Sequence, residues 1–383
     1  MNFDLTDEQQ MLQAAARDFL ASRLNSEKIR ALAASDDAFS SDLWKEISDL
    51  GWPGLLVSAE HGGQELGVIE LAVLMEQVGY ALTPGPLFSN MLAAIALEAA
   101  ATEDQRERWL APVAAGEKRG TIALWDRGAG WTPADITLDP ESANGGFTLN
   151  GEKLFVLDAA TADFLIVGAT GDRRFIVETD APGVTITPTP TIDETRKQYA
   201  VRLDGVKVDE DAAFGSEGAM EEARIRAYTA LAAELAGVAQ HALEMAVSYA
   251  KERKQFDRPI GAYQAVSHRC AQMLLETEGA RSAAYYAAWA ADNEPETAPL
   301  AASMAKAYAS DAGTRVTGAS LQVHGGIGFT WEHDIHLYLK RAQADAVMLG
   351  DSRWHRRQVA RIAGIGEGGK EATPARVPAS ASA

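Results

Sequence analysis

Two short segments carry residue types whose spacing suits a phosphorylated ligand. In Tyr249-Ala250-Lys251-Glu252-Arg253-Lys254-Gln255-Phe256-Asp257-Arg258-Pro259-Ile260, followed by Gln264, Arg253 offers a planar fork of donors that matches phosphate oxygens. Phe256, three residues on, is expected on the same helix face, so that charge and apolar shelf reach one ligand together. Taken alone, Arg253 also reads as a solvated helix charge. In Gln322-Val323-His324-Gly325-Gly326-Ile327-Gly328-Phe329-Thr330-Trp331-Glu332, consecutive glycines let backbone amides approach a diphosphate without Cβ interference, and they also serve as an ordinary helix C-cap. His324 has no carboxylate or serine at a matching spacing and is read as structural. Glu234 stands in the apolar run 231–238, where a charge is costly unless paired. It reads either as a proton acceptor or as a core carboxylate satisfied by an arginine or an interface.

The bulk composition bounds the classes. A formal charge of −19 over 383 residues opposes non-specific binding to nucleic acid or anionic lipid, which needs a basic footprint. An anionic ligand must then be captured by local cations, which is feasible because exposed charges are screened within about 8–10 Å. The lone Cys270 has no disulfide or metal-site partner and reads as a small core residue in a reducing compartment; no metal site is expected. No apolar run is long enough to span a bilayer, and the acidic, amphipathic first 20 residues do not read as a signal peptide, so a cytoplasmic protein without a membrane segment is expected.

Three regions position these residues. From residue 5 to about 116 the apolar spacing is helical: Thr6 with Gln9 makes a capping-box start, and Met11, Ala15, Phe19 and Leu20 are placed on one face. Further helices are predicted at 41–50, 68–81, 86–100 and 102–115. The period then changes to short strands at 121–125, 146–150, 153–157, 164–169, 174–178, 184–188 and 198–208. Asn144-Gly145-Gly146 and Asn150-Gly151 between them read as hairpin turns. Helical periodicity returns in long alanine-rich runs, notably 224–253, 262–292 and 299–324, whose economical packing is a four-helix bundle. The expected division is an N-terminal helical domain 1–119, a middle antiparallel β domain 120–217, a C-terminal bundle 218–363 and a disordered tail 364–383. The fold class is α+β.

This order of domains and the two motifs resemble the acyl-CoA dehydrogenase family over nearly the whole chain. The first segment is similar to the family's YAxxRxQFGxPI…Q, the second to its QxxGGxGFxxE. The resemblance implies FAD as cofactor, with Arg253, Phe256 and Gln264 near the flavin's pyrophosphate and dinucleotide, and Gln322, Gly325 and Gly326 completing the flavin site of a neighbouring subunit. It also implies an acyl-CoA substrate and an electron-transferring flavoprotein as acceptor.

The pattern fails where that family does its chemistry. Its members remove the thioester α-proton with a carboxylate while the flavin accepts the β-hydrogen as hydride. Where many members keep this Glu, twenty residues beyond the position of Phe329, the chain has Leu349, with Gly350, Ser352 and Arg356 preserving the flanks. The other family position for the Glu falls on Ala227. Asp351 lies close by but is expected to point elsewhere. Where the family has T-E-P-x-A-G-S-D, the chain reads Trp125-Asp126-Arg127-Gly128-Ala129-Gly130-Trp131-Thr132, and W-I-T-N becomes Phe155-Val156-Leu157-Asp158. Hydroxyls that hold the flavin ring in the family are gone, and Trp125, Trp131 and Leu349 are expected to fill the abandoned pocket.

Three readings follow. The first is a partner subunit of a heteromeric (α2β2) acyl-CoA dehydrogenase, with no base of its own, lending flavin contacts to a catalytic sister subunit; the resemblance adds steroid or bile-acid side chains as the substrate class. The second is a self-sufficient homotetramer with a relocated base, Glu234 the candidate. The third is a flavin-free scaffold or acyl-CoA-binding protein.

Overall fold

The computed structural model describes residues 5–143, 145–215 and 220–365. The first helix, α1 (Asp7–Arg23), begins where expected: Thr6 Oγ1 accepts from the Gln9 amide at 3.2 Å, and Gln9 Oε1 accepts from the Thr6 amide at 2.9 Å. Its inward face differs from the expected one. Ala16 and Leu20 are buried while Met11 is 71% exposed and Ala15 is also exposed, so the stripe is shifted by one residue. Both phases satisfy a 3.6-residue period in an alanine-rich helix, and packing against the rest of the chain selects between them.

Five more helical stretches follow: α2 (Ser26–Ala34), α3 (Ser41–Asp49), α4 (Val68–Tyr80), α5 (Leu87–Ala100), and a segment in which α6 (Glu103–Gln105), a π-helical turn (Arg106–Leu110) and α7 (Ala111–Ala114) run on without a break. The β region then forms two sheets. One is mixed, with β1 (Gly120–Ala123) parallel to β5 (Phe164–Gly168), followed by β6 (Arg174–Glu178) and β9 (Ala213–Phe214). The other is antiparallel, ordered β2 (Trp125–Asp126), β4 (Gly146–Leu157), β8 (Gln198–Asp209), β7 (Val184–Thr189), with β3 (Glu141–Ala143) also paired to β4.

Asn150-Gly151 is not a hairpin turn. Strand β4 runs straight through it, the register against β8 shifts between Leu149 and Gly151, and Gly151 (φ 154°) takes up the bulge. The turn expected at Asn144-Gly145-Gly146 includes Asn144, which lies outside the described residues, as do the expected boundary at Gly218 and the chain beyond residue 365.

The remaining helices are α8 (Glu221–Glu252), α9 (Gln264–Asn293), α10 (Ala298–His324), α11 (Ile335–Val347) and α12 (Ser352–Ile362), with a small hairpin of β10 (Lys254–Gln255) and β11 (Arg258–Pro259) between α8 and α9. Helices α8 to α11 form the bundle, and α12 folds back onto α10. The bundle is tied to the first region where α4 crosses α8 at backbone distance. A Cβ on Gly79 would come within 2.1 Å of Glu234 O, and one on Gly237 within 1.9 Å of Glu76 O. Only glycine allows this approach, and it sets Glu234 in the middle of the molecule. Among the described residues, no helix is long and apolar enough to cross a membrane.

Candidate functional site

The six residues expected to contact a dinucleotide lie at the end of the bundle where α8 and α10 finish and α9 begins. Tyr249 and His324, from the last turns of α8 and α10, pack with ring centroids 4.8 Å apart and planes tilted by 33°. Arg253 ends α8: its φ/ψ of −68°/121° leaves the helical region, and its carbonyl accepts from the Ile260 amide at 2.8 Å, closing the small hairpin. Phe256 therefore does not share a helix face with Arg253. It occupies the tip of the β10–β11 hairpin with Asp257, both left-handed (φ 51° and 63°), the pairing demanded by a two-residue hairpin turn. The ring is 88% exposed.

Gln264 is the first residue of α9 and is exposed, as are Gln322 and Gly326; Gly325 is half-buried. Gly325 adopts φ/ψ 61°/−137°, a conformation available to glycine alone, and open space surrounds both glycines where a Cβ would stand. Exposed Lys251, Arg253, Lys254, Arg258 and Arg269 outnumber exposed Glu252 and Asp257 here, so this end is locally cationic in an acidic chain. The backbone opening, cationic surface and aromatic tip fit the pyrophosphate half of a dinucleotide. His324 is a structural residue: its Nδ1 lies 2.8 Å from Ser320 O, and burial holds the imidazole neutral by lowering its pKa.

Near the other end of α8, a cavity of about 60 Å³ is lined by Leu349, Ala227, Trp125, Trp131, Tyr228 and Ile122 among others. That is room for a few waters, at about 10–15 Å³ of such volume each. Trp125 and Trp131 meet edge to face, with centroids 5.3 Å apart and planes at 77°. Leu349 and Ala227, the two sequence positions considered for a base, thus face one largely apolar space walled by the two indoles.

Leu349 is buried and left-handed (φ 57°), followed by Gly350 at φ 108°. Its turn is braced from below. Lys306 Nζ donates to Ser310 Oγ (2.9 Å), Gly350 O (3.1 Å) and Ala346 O (3.3 Å), and His355 Nε2 lies 3.1 Å from Leu349 O. Burial pushes Lys306 down to about 7 and His355 down to about 3. Asp351 is occupied as the α12 N-cap, accepting from the Trp354 amide at 2.7 Å, and so points away from the cavity as expected. Thr132 donates to Asp135 at 2.6 Å. Phe155 is 56% exposed at φ 57°, while Asp158 is buried and accepts from Ser89 at 2.7 Å.

Glu234 lies in a buried ionic junction rather than in the cavity wall. Its Oε1 accepts from Arg196 (2.6 Å) and Arg341 (2.7 Å); Arg196 also reaches Asp345 (2.8 Å), and Arg341 also reaches Asp193 and Thr195 Oγ1 (2.5 Å each). With Oε1 held by two guanidiniums and the side chain outside the cavity wall, Glu234 does not reach a substrate in that cavity. Sequence reasoning passed over Lys306, Arg341 and His355. The signal was present in part, since Lys306, like Glu234, is a single charge inside an alanine-rich run. Among the described residues, no group of histidines, cysteines and carboxylates could hold a metal ion.

Comparison with known proteins gives a consistent result. Residues 6–117 match the family described as acyl-CoA dehydrogenase, N-terminal domain, and residues 217–364 match acyl-CoA dehydrogenase, C-terminal domain. The chain is 30% identical to acyl-CoA dehydrogenase IpdE2 of Mycolicibacterium smegmatis over 350 residues, covering 91% of this chain and 96% of the relative. Among solved structures it is similar to the ChsE4-ChsE5 complex from Mycobacterium tuberculosis (TM-score 0.88, 27% identity, 95% and 99% of the two chains). It is also similar to the Tcur3481-Tcur3483 steroid ACAD (TM-score 0.86, 32% identity, 95% and 99%).

Proposed function

The chain belongs to the acyl-CoA dehydrogenase family, and on that premise we propose that it is the partner subunit of a heteromeric enzyme which lends flavin contacts without supplying a base. The reaction is the α,β-dehydrogenation of an acyl-CoA thioester, with a steroid or bile-acid side chain as the acyl group and an electron-transferring flavoprotein as the acceptor. Bound FAD would supply the hydride acceptor for the substrate's β-hydrogen.

One contrast carries this reading: the bundle end is open and cationic, with Phe256 88% exposed, whereas the cavity facing Leu349 and Ala227 is apolar, about 60 Å³ in volume and walled by Trp125 and Trp131. Arg253 would hold a pyrophosphate oxygen pair with its guanidinium. The glycine turn at Gly325 and Gly326 would present backbone amides to the same group. Gln264 and Gln322 would hydrogen-bond the dinucleotide, and Phe256 would cover its apolar side. Trp125, Trp131 and Leu349 would keep water and substrate out of this chain's own ring site, so that chemistry takes place in the sister subunit. A similar structure described as the ChsE4-ChsE5 complex contains two differently named proteins, and another is described as a steroid ACAD; both support the heteromeric and steroid parts of the proposal.

The self-sufficient alternative asks Glu234 to act as base, and its commitment to Arg196 and Arg341 weighs against that. A flavin-free scaffold leaves the exposed Phe256 and the open glycine turn without a purpose. The test is flavin stoichiometry of the complex purified with its sister subunit: Arg253→Ala is expected to lower occupancy severalfold, and unchanged occupancy would remove the lent-contact role.

A further inference from the structure

The junction that fixes α11 against α8 contains more carboxyl groups than cations. Asp193, Glu234 and Asp345 face Arg196 and Arg341, and all five side chains are buried. The surrounding elements do not restore the balance. From the α5 side Ser89 donates to Asp158, a fourth buried carboxyl; Thr83 offers a carbonyl to Arg341; and Phe88 presents only its ring to Arg196, 4.6 Å from the guanidinium carbon. Lys306, on α10, directs its three donors to Ser310 Oγ, Ala346 O and Gly350 O. Fully ionised, this dry site would hold a net negative charge, which is strongly unfavourable.

Two atoms mark where the balance is made. Glu234 Oε1 and Asp345 Oδ1 sit on neighbouring nitrogens of one guanidinium, 2.6 Å from Arg196 Nη2 and 2.8 Å from Nη1, which places the two carboxyl groups side by side. Their other oxygens, Glu234 Oε2 and Asp345 Oδ2, are buried without any hydrogen-bond partner. We propose that Asp345 carries a proton on Oδ2 at neutral pH and donates it to Glu234 Oε2, so that the pair bears a single charge. An O–H on one carboxyl then donates to the other, and both oxygens are satisfied.

Burial, followed by the charge of Glu234, pushes Asp345 up to about 8 from an ordinary value of 3.8. The folded state therefore binds more protons than the unfolded chain between these values. The contribution to stability is fully present below the ordinary carboxylate range and is lost as pH rises through about 8.

Infrared spectroscopy of the full-length chain in heavy water tests this directly. Wild type near pH 7 is expected to show the carbonyl stretch of a protonated carboxylic acid, fading as pH rises past about 8, and Asp345→Asn is expected to abolish it. Asp158, pushed only to about 6, titrates at lower pH and is distinguishable. In parallel, thermal midpoints across the same range should fall more steeply with pH in wild type than in Asp345→Asn. A wild type without the band, a band that Asp345→Asn leaves intact, or parallel midpoint curves would overturn the proposal. If Asp345→Asn does not fold, the wild-type band and Glu234→Gln decide the matter by the same criteria.

Discussion

Leu349 and Ala227 line one small cavity from two distant parts of the chain, the α11–α12 turn and helix α8. The turn that presents Leu349 is intact, held by Lys306 and His355, so a carboxylate placed there would point into the same apolar space. Leu349→Glu is expected to destabilise the chain by about 1–3 kcal/mol, because the new carboxyl has no arranged partner. It should not confer acyl-CoA dehydrogenation on the isolated chain, since Trp125 and Trp131 still close the ring side. Denaturant unfolding and a dye-coupled activity assay check both parts; activity in the isolated variant would show that the two indoles leave the ring side open.

Phe256 combines a left-handed backbone with an almost fully exposed ring. Phe256→Gly should therefore stabilise the isolated chain by roughly 0.5–1 kcal/mol, since glycine carries no Cβ penalty at positive φ. The same variant should weaken flavin retention in the complex. A melt paired with flavin quantification separates the two effects, and a loss of stability with normal flavin content would make the ring structural.

The junction around Arg341 predicts a large effect from a residue outside the cavity. Arg341→Ala strips Asp193 of its ion-pair partner, leaves Glu234 with Arg196 alone and should cost about 3–5 kcal/mol, as the removal of one partner from a buried ion pair does. A chemical denaturation midpoint unchanged within error would mean that water reaches the junction.

His355 gives a pH prediction of the opposite sign to Asp345. Burial and then the nearby Lys306 charge hold it at about 3 against an ordinary 6.5, so the unfolded chain binds more protons in that interval and stability falls as pH drops through it. His355→Gln, which retains a donor for Leu349 O, should lose less stability than wild type between neutral and acidic pH. Identical slopes for the two proteins would place the acid sensitivity elsewhere.

The order of helices, strands and helices was readable because long periodic runs dominate it. The helices at 41–49, 68–80 and 87–100 and most strands lie within a residue or two of their expected bounds. What sequence reasoning missed has physical causes. The end of α8 carries no glycine or proline before Pro259, and the hairpin turn at Phe256-Asp257 lacks the glycine that would mark it, with Phe256 an unusual residue at positive φ. Asn150-Gly151 does advertise a turn, but pairing of both flanks with the single strand β8 turns it into a bulge. The face of α1 was ambiguous because alanines fill both phases. The cavity could not be read from any window, since Trp125, Trp131, Ala227 and Leu349 meet only through tertiary packing; the substitutions were visible, the closure they produce was not. Glu234 was recognisable as a costly charge, but its partners Arg196 and Arg341 lie far away in sequence.

In the proposed complex this chain supplies the dinucleotide-facing surface for a flavin whose ring belongs to another subunit. The most direct measurement is the visible absorption spectrum of the chain purified alone and after co-expression with its sister subunit, each followed by addition of acyl-CoA. The chain alone should be colourless, and the co-purified complex should show flavin bands that bleach on substrate addition. A yellow, substrate-reducible homotetramer from the chain alone would contradict the account.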